Sequence, residues 1–361
     1  MRYTVDSESK KPAYLQLYYQ LREDIVNRVY PYHSKLPSKR TLAEDTGTSV
    51  ITVEHTYALL CDEGYIESRE RSGYFVVFRA DDGFAPASAP RTAAPHAALK
   101  ESGALPEFPF STLAGTMRRV LSEYGEAALE RSPNPGCPEL REAIRNYLAR
   151  SRGIFADTEQ IVIGSGSEYL YGRIVELLGR DRIYAIESPS YRKIEQVYLA
   201  ADVTCRLLPL GQDGIESHAL WESDADVLHI TPYRSFPSGV TATASKRHEY
   251  IRWANRGARY LVEDDFESEF SVSRKPEETL FSLSTSENVI YINTFSKTIS
   301  PSLRVGYMVL PKPLLPLLEQ KIGFYACPVP TYMQLVLAEL IDNGDFARHI
   351  NRVRRKKRAL M

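Results

Sequence analysis

Short apolar runs separated by amphipathic segments make up the chain from about residue 111 onward. Runs of this length predict β-strands, and their alternation with helical segments predicts βαβ units, hence an α/β domain with a mainly parallel sheet. In such sheets ligands bind beyond the carboxyl ends of the strands, so the residues after each run are the candidate site. The runs are residues 161–163, 182–186, 227–230, 260–262 and 289–292.

The first part of the chain follows a different pattern, in which apolar positions recur at helical spacing. This spacing predicts helices over residues 12–30, 38–46 and 49–63, and each of the last two opens on a serine that suits an N-cap. Gly47 supplies a tight turn between the second and third helices. Two helices joined in this way predict a helix-turn-helix.

Two β-like runs, residues 65–68 and 73–77, follow the third helix and flank a basic tip. They predict a wing, so residues 1–78 are expected to form a winged helix-turn-helix domain of the α+β class. Residues 79–110 are rich in Ala and Pro without periodicity, which predicts a linker that lets two domains reorient. Residues 111–361 form the second, larger domain.

Composition narrows the class of protein further. A chain of 361 residues with 43% apolar residues is long enough for two domains, and its formal net charge of -1 gives no sign of a globally basic protein. The four cysteines are scattered without C-x-x-C spacing, which argues against a metal site or a disulfide framework. Without a signal peptide or a long apolar run, the chain is expected to be soluble and cytoplasmic, with no membrane contact.

The helix-turn-helix predicts binding to double-stranded DNA, with the third helix in the major groove and basic residues on phosphates. A small protein-interaction module with ordinary surface charge is the alternative, because residues 1–79 contain 11 Lys and Arg against 11 Asp and Glu. Any positive face must therefore be local. The candidate DNA contacts are Ser38, Lys39, Arg40, Ser49, Thr52, His55, Arg69, Arg71 and Gly73.

The sequence LPSKRTLA at residues 36–43, the sequence TSVITV at residues 48–53 and the glycine of the wing together resemble the winged-helix domain of GntR-type regulators. One position departs from that family. Its members usually carry arginine after the serine that opens the recognition helix, and here the residue is Val50. Phosphate contacts are therefore expected to carry more of the affinity for DNA.

A second cluster of candidate chemistry follows the apolar run at residues 289–292. Thr294, Ser296 and Lys297 come directly after it, and Arg304 follows seven residues later. A lysine between two hydroxyls and an arginine suits a cofactor that carries an aldehyde and a phosphate, because the amine condenses with the aldehyde while the other groups hold the phosphate. A solvated loop lysine is the alternative interpretation.

Other strand ends carry matching groups. The turn Ser165-Gly166-Ser167 opens a predicted helix whose amides would cradle a phosphate, and Tyr191 follows another strand where it would stack on a flat ring. Asp264 is the central one of three consecutive carboxylates after a buried run, which is costly unless a cation such as a protonated pyridine lies there. An ordinary turn, a packed tyrosine and a structural acid cluster are the corresponding alternatives.

The sequences SPNPG at residues 132–136, EDDFESEF at residues 263–270 and TFSK at residues 294–297 resemble fold type I aminotransferases. With the preceding domain, the whole chain is similar to MocR-type regulators, the GntR subgroup fused to an aminotransferase-like domain. The resemblance implies pyridoxal 5'-phosphate as cofactor, Lys297 as the lysine that forms the imine, Asp264 as the ring-nitrogen partner and Tyr191 as the stacking ring. The phosphate would be surrounded by Ser165, Gly166, Ser167, Thr294, Ser296 and Arg304.

The function implied by the resemblance is a homodimeric transcriptional regulator that senses pyridoxal phosphate, or an amino acid condensed with it. A pyridoxal-phosphate-dependent aminotransferase is the alternative, as is a chain that binds DNA but retains cofactor poorly. Phe266 stands where the family usually has tyrosine, and Arg234-Ser235 replaces a usual His-Gln pair. The small C-terminal subdomain of the family is expected to be missing, and with it the arginine that grips a substrate carboxylate, so transaminase activity is expected to be residual at most.

Overall fold

The computed structural model describes residues 3–6, 9, 11–70, 72–79, 108–265, 268–272 and 278–359. The chain divides into a smaller compact unit, Met1–Leu99, and a larger one, Lys100–Met361. Across the described ranges, no helix combines the length and the apolar character needed to cross a bilayer.

The smaller unit is a winged helix-turn-helix, as predicted. Its second helix starts after Ser38, whose hydroxyl accepts a hydrogen bond from the Thr41 amide at 3.1 Å, and it ends at Gly47, which has a φ of 66°. The first helix is shorter than the predicted 12–30, because Arg28 has a φ of 61° that an α-helix cannot continue. The elements are α1 (Ala13–Val26), α2 (Lys39–Thr46), α3 (Val50–Asp62), β1 (Ile66–Arg69) and β2 (Gly73–Val76).

The inner face of α3 is fixed against α1 and the start of α2. Val53, Tyr57 and Leu60 are fully buried beside Leu17 and other α1 residues. The hydroxyl of Tyr57 also donates to the carbonyl of Pro37 at 2.8 Å. Apolar burial and this hydrogen bond set the rotation of α3 about its axis, and with it the residues that α3 presents outward.

The larger unit is an α/β domain built on one seven-stranded sheet, in the order β3-β9-β8-β7-β6-β4-β5. All neighbouring pairs from β5 to β8 across the sheet are parallel, and β9 is antiparallel to both β8 and β3. The predicted mainly parallel sheet is therefore confirmed. The strands are β3 (Ile161–Gly164), β4 (Ile183–Ser188), β5 (Thr204–Pro209), β6 (Val227–Ile230), β7 (Tyr260–Asp264), β8 (Val289–Thr294) and β9 (Gly306–Val309).

Helices cover both faces of this sheet. Along β8, Ile290 and Ile292 face the layer of α6 and α7, whereas Tyr291 faces the opposite layer, which contains α5 and α12. This alternation is the period of two expected for a strand buried on both sides. The helices are α4 (Phe110–Tyr124), α5 (Pro138–Arg152), α6 (Ser167–Leu178), α7 (Arg192–Ala200), α8 (Ser217–Glu222), α9 (Ala244–Ala254), α10 (Leu280–Leu283), α11 (Leu315–Lys321), α12 (Thr331–Asp342) and α13 (Asp345–Ala359).

The topology brings several strand ends to one edge of the sheet. Since β3 and β8 are both antiparallel to β9, β3 runs parallel to β8, and the carboxyl ends of β3, β4, β6, β7 and β8 lie on the same side. The segments that follow these strands, which carry most of the candidate chemistry, therefore meet at that edge.

Candidate functional site

A cavity of about 230 Å³ lies at this edge of the sheet. Two predicted members, Ser165 and Gly166, lie in the turn that leads into α6 and not on the cavity wall. The predicted site residues on the wall are Ser167, Tyr191, Asp264, Thr294, Ser296, Lys297 and Arg304. The structure adds Glu168, Tyr171, Ile194, Thr231 and Phe236, which the sequence did not indicate.

Asp264, the last residue of β7, is buried at the floor of the cavity. Its Oδ2 accepts a hydrogen bond from the hydroxyl of Tyr171 and lies 3.7 Å from Nε2 of His229. Burial, reinforced by the neighbouring carboxylate, raises the pKa of the Tyr171 phenol well above its usual value, so the phenol remains a donor. Among the described residues, Oδ1 of Asp264 has no hydrogen-bond partner. A buried carboxylate oxygen without a partner is rare in proteins and marks a place where a donor or a cation binds.

The other two carboxylates of the acidic triplet have partners of their own. Asp265 is held by Arg152, whose Nε donates to it at 2.9 Å, and by the hydroxyl of Tyr291 at 2.7 Å. Glu263 accepts hydrogen bonds from the first amides of α10, and its burial raises the pKa of its carboxyl to about 8. Only the central member, Asp264, lines the cavity.

A buried histidine stands behind Asp264. The Nδ1 of His229 lies 2.7 Å from the hydroxyl of Tyr198, and its ring meets Tyr171 edge to face at 4.9 Å between centroids. These contacts hold the imidazole, with Nε2 on the side of the Asp264 carboxylate. His229 belongs to β6, in which the other residues are apolar, and a histidine inside such a run was the signal that sequence reasoning passed over.

The opposite end of the cavity is suited to an anion. Arg304 precedes β9 with a φ of 50°, and a Cβ built on Gly166 would lie 3.4 Å from its guanidinium carbon. The absence of a side chain at Gly166 therefore leaves the guanidinium room beside the first turn of α6. A helix N-terminus and an arginine together attract phosphate or carboxylate groups.

Glu168, in that same first turn, adds a negative charge to this end. Lys193 contacts its Oε1 at 2.6 Å, and Arg304 contacts its Oε2 at 3.3 Å. The hydrogen bond from Lys193, followed by the charges of both cations, lowers the pKa of the Glu168 carboxyl. The two cations outnumber this one carboxylate, so the end of the cavity remains positive on balance.

An aromatic wall completes the cavity. Tyr191 lies just before α7, and its ring meets that of Phe236 in a T-shaped contact at 6.3 Å between centroids. With Asp264 at one end and Arg304 at the other, this wall suits a flat ring that carries a positive nitrogen and an anionic group.

A second cavity, of about 360 Å³, lies between β3 and α11, and its chemistry is different. Its two arginines already have partners: Nε of Arg141 donates to the carbonyl of Ile161 at 2.9 Å, and Arg173 pairs with Glu176 at 2.9 Å. Although Nε of Arg173 has no hydrogen-bond partner, the described part of this wall has no lysine that could bind an aldehyde. The cavity beside Asp264, which Lys297 lines, is therefore the better candidate site.

The smaller unit presents the predicted DNA contacts on and around α3, but several of them already bind each other or their neighbours. Lys39 pairs with Glu54 at 2.6 Å, and Arg69 pairs with Glu67 at 2.6 Å. The ring of His55 stacks on that of Tyr14 at 4.4 Å. The hydroxyls of Ser38 and Ser49 cap α2 and α3, Thr52 bonds to Ser49, Arg40 is exposed, Gly73 begins β2, and Arg71 lies outside the described residues.

Two family models match the chain, one for each unit. Residues 13–76 match the gntR family of bacterial regulatory proteins, and residues 111–360 match the aminotransferases of class I and II. The chain is 33% identical to the HTH-type transcriptional regulator YdeL of Bacillus subtilis, over 97% of this chain and 78% of that protein. It is 30% identical to the probable rhizopine catabolism regulatory protein MocR of Rhizobium meliloti, over 97% of this chain and 76% of that protein.

The chain belongs to the MocR-type group of the GntR family. It is therefore a transcriptional regulator that joins a DNA-binding winged helix to an aminotransferase-like domain. The larger unit is similar to solved aminotransferases, among them LysN, the α-aminoadipate aminotransferase of Thermus thermophilus, with 28% identity and a TM-score of 0.60. That match covers 70% of this chain and 66% of LysN, which was solved with N-(5'-phosphopyridoxyl)-L-leucine.

Sequence reasoning on this regulator missed Glu168, Tyr171, His229 and Phe236 because their roles depend on packing between distant segments. Tyr171 lies one helical turn after Ser167, on the face of α6 that contacts the sheet. That spacing was the available signal. Phe266, the departure noted beside the acidic triplet, lies outside the described residues.

Proposed function

We propose that this regulator holds pyridoxal 5'-phosphate in the cavity between Asp264 and Arg304 and that occupancy of the cavity controls its binding to DNA. The observation that carries the proposal is the unpartnered Oδ1 of Asp264, buried in a cavity that Lys297 also lines. A protonated pyridine nitrogen is the kind of donor that such an oxygen requires.

Asp264 would bind the ring nitrogen through Oδ1 and keep it protonated. Tyr171, which donates to Oδ2, holds the carboxylate in one orientation, and Nε2 of His229 lies 3.7 Å from the same oxygen. The aromatic wall that includes Tyr191 would cover one face of the ring. These contacts suit a flat, cationic ring and do not suit a simple anion.

Lys297 would supply the amine that binds the aldehyde carbon of the cofactor, with Thr294 and Ser296 beside it at the end of β8. When bound, the cofactor supplies an electron-withdrawing ring and an aldehyde that condenses with amino acids. This chemistry makes an amino acid a fitting effector, because it competes with Lys297 for the same carbon.

Arg304 and the first turn of α6 would hold the phosphate. The guanidinium contacts Glu168 at 3.3 Å and is half exposed, so it can exchange this contact for a phosphate oxygen. The similarity to LysN, which was solved with a phosphopyridoxyl ligand, supports this assignment.

Regulation requires that the ligand favour one arrangement of the DNA-binding units, because a ligand indifferent to both arrangements changes nothing. We propose a cytoplasmic homodimer in which two winged units bind paired half-sites in double-stranded DNA. The cofactor, or its amino-acid adduct, would then shift the spacing or mobility of the two wings.

The test is the affinity of the full chain for a duplex selected from a randomised library, measured at several salt concentrations with and without pyridoxal phosphate and amino acids. A salt-dependent affinity that changes with ligand in the wild type and not in Lys297→Ala supports the proposal. An affinity that is the same with and without ligand in both proteins contradicts it.

A catalytic role is the second candidate, and the match of residues 111–360 to class I and II aminotransferases favours it. Steady conversion of an amino donor and a keto acid by the full chain, abolished in Lys297→Ala, would support catalysis. Conversion at or below the rate of free pyridoxal phosphate would leave regulation as the function.

A further inference from the structure

The first turn of α3 exposes hydrocarbon where a recognition helix meets the bases. Ile51 is 77% exposed and Val50 is 41% exposed. The hydroxyls of Ser49 and Thr52 lie 2.9 Å apart, and the Ser49 oxygen also accepts from the Thr52 amide at 3.0 Å. The polar groups of this turn are therefore occupied in capping the helix, and its outward surface is aliphatic.

In the next turn of α3 both polar side chains contact neighbours, although stacking covers only one face of the His55 ring and leaves its nitrogens able to form hydrogen bonds. Glu54 is paired with Lys39 at 2.6 Å, and the ring of His55 lies flat against that of Tyr14 at 4.4 Å. The helix cannot rotate to present other residues, because the hydroxyl of Thr56 on its inner face donates to the carbonyl of Tyr14 at 3.0 Å.

In the major groove, the four base pairs differ in what they offer an aliphatic side chain. Guanine presents two acceptors and cytosine an amino donor, and covering either with hydrocarbon leaves polar groups unpaired. Thymine presents a C5 methyl group, which gains from contact with an aliphatic side chain. An exposed isoleucine at the entering end of the helix therefore favours thymine.

We propose that Ile51, supported by Val50, selects thymine through its methyl group, so that the half-site of this regulator has an A·T pair facing the first turn of α3. Lys39 and Arg40 would supply contacts to phosphates that carry no sequence information. The inference rests on the DNA-binding function of the family and is independent of the cofactor. DNA is the expected occupant because α3 is the recognition helix of the GntR-type winged fold that residues 13–76 match.

The experiment begins with selection of duplexes by the full chain from a randomised library. The best duplex is then resynthesised with uracil in place of thymine at single positions, which removes only the methyl group. We expect one position per half-site where uracil weakens binding by the wild type about fourfold, the effect of losing one buried methyl group.

Ile51→Ala completes a double-substitution cycle. We expect this variant to bind the thymine and uracil duplexes equally, whereas the matched control Val29→Ala, at another exposed aliphatic residue, keeps the fourfold difference. Placing 5-methylcytosine, paired with guanine, at the same position should recover part of the affinity that plain cytosine loses.

The proposal is overturned if uracil substitution has no effect on the wild type, or if Ile51→Ala weakens binding to both duplexes while the difference between them persists. It is also overturned if Ile51→Ala leaves DNA binding intact and changes the oligomeric state, since Ile51 would then contact protein. Failure to select any sequence, with no salt-dependent binding, would contradict the DNA-binding function itself.

Discussion

The cavity of the larger unit and the outer face of α3 arrange polar and apolar side chains in opposite ways: polar groups are buried in the cavity, and an aliphatic side chain is exposed on α3. In the cavity, polar side chains are buried, and Oδ1 of Asp264 has no hydrogen-bond partner among the described residues, whereas Oδ2 accepts from Tyr171. On α3, Glu54 pairs with Lys39 of α2, and the aliphatic Ile51 is exposed. A small-molecule site is thus recognised by what lacks a partner inside, and a DNA-reading surface by what remains accessible outside.

The largest effect is expected from Asp264→Ala, which tests the buried side of this comparison. Affinity for pyridoxal phosphate should fall roughly 100-fold or more, because removing one partner of a buried charge pair costs about 3 to 5 kcal/mol. The measurement is a titration followed by absorbance. Asp224→Ala removes an exposed carboxylate of the same unit and should leave the affinity unchanged. Equal affinity in Asp264→Ala and the wild type would contradict the assigned role.

An effect of similar size in free energy, on stability and not on ligand affinity, is expected at Glu187, at the carboxyl end of β4. Burial raises the pKa of its carboxyl from 4.5 to about 7, and both of its donors, Ser235 and the Thr231 amide, bind the same oxygen. The unfolded chain ionises first as pH rises, so the stability that Glu187 contributes is complete below about pH 4.5 and is lost by about pH 7.

Glu187→Gln keeps an oxygen for both donors and removes this titration. As the pH rises from about 4.5 to 8, the free energy of unfolding of the wild type should fall by up to about 3 kcal/mol relative to that of the variant. Urea unfolding of the larger unit at several pH values measures this difference. Parallel pH profiles for the two proteins would show that Glu187 titrates normally.

Smaller effects, opposite in sign for two substitutions, are expected at the anion-binding end of the cavity. Arg304→Ala should weaken binding of pyridoxal phosphate about 10- to 100-fold, because a charged hydrogen bond contributes about 1.5 to 3 kcal/mol. Glu168→Gln should strengthen it a few-fold, because it removes a negative charge that competes for Arg304. Pyridoxal, which lacks the phosphate, is the control ligand and should respond to neither substitution. Weaker binding in Glu168→Gln would mean that the carboxylate itself holds the ligand.

The smallest effect concerns the helix caps of the winged unit. Ser38→Ala removes the oxygen that caps α2 and should cost about 1 kcal/mol of stability in this unit. Ser68→Ala, at an exposed position of β1, is the control and should leave the stability of this unit unchanged. Thermal unfolding that separates the two units gives the comparison, and a loss confined to DNA affinity would assign Ser38 to DNA contact instead.

Periodicity was sufficient to predict the winged unit and the parallel sheet, because both arise from local patterns of apolar residues. It missed β5 and β9: β5 is an edge strand with mostly exposed residues, and β9 is a buried strand of four residues that begins at Gly306, soon after the Lys297 loop. β5 lacks an apolar run and is specified by pairing with β4. The run VGYMVL at residues 305–310 was an available signal for β9 that the prediction did not use.

The candidate site was predictable in part for the same reason. Residues directly after a strand, such as Lys297 and Asp264, could be located because the sheet gathers strand ends. Tyr171 and His229 reach Asp264 from a helix and from the middle of another strand, which no linear spacing indicates. Ser38 and Ser49 cap α2 and α3, as the sequence predicted. Their predicted contacts with DNA remain a prediction, and the capping role competes with it.

The most direct test of the cofactor site is chemical trapping on the native chain. Incubation with pyridoxal phosphate, reduction with borohydride and peptide mass spectrometry should place one phosphopyridoxyl group on Lys297, with the label lost in Lys297→Ala and greatly reduced in Asp264→Ala. Labelling spread over surface lysines, unchanged by either substitution, would contradict the account.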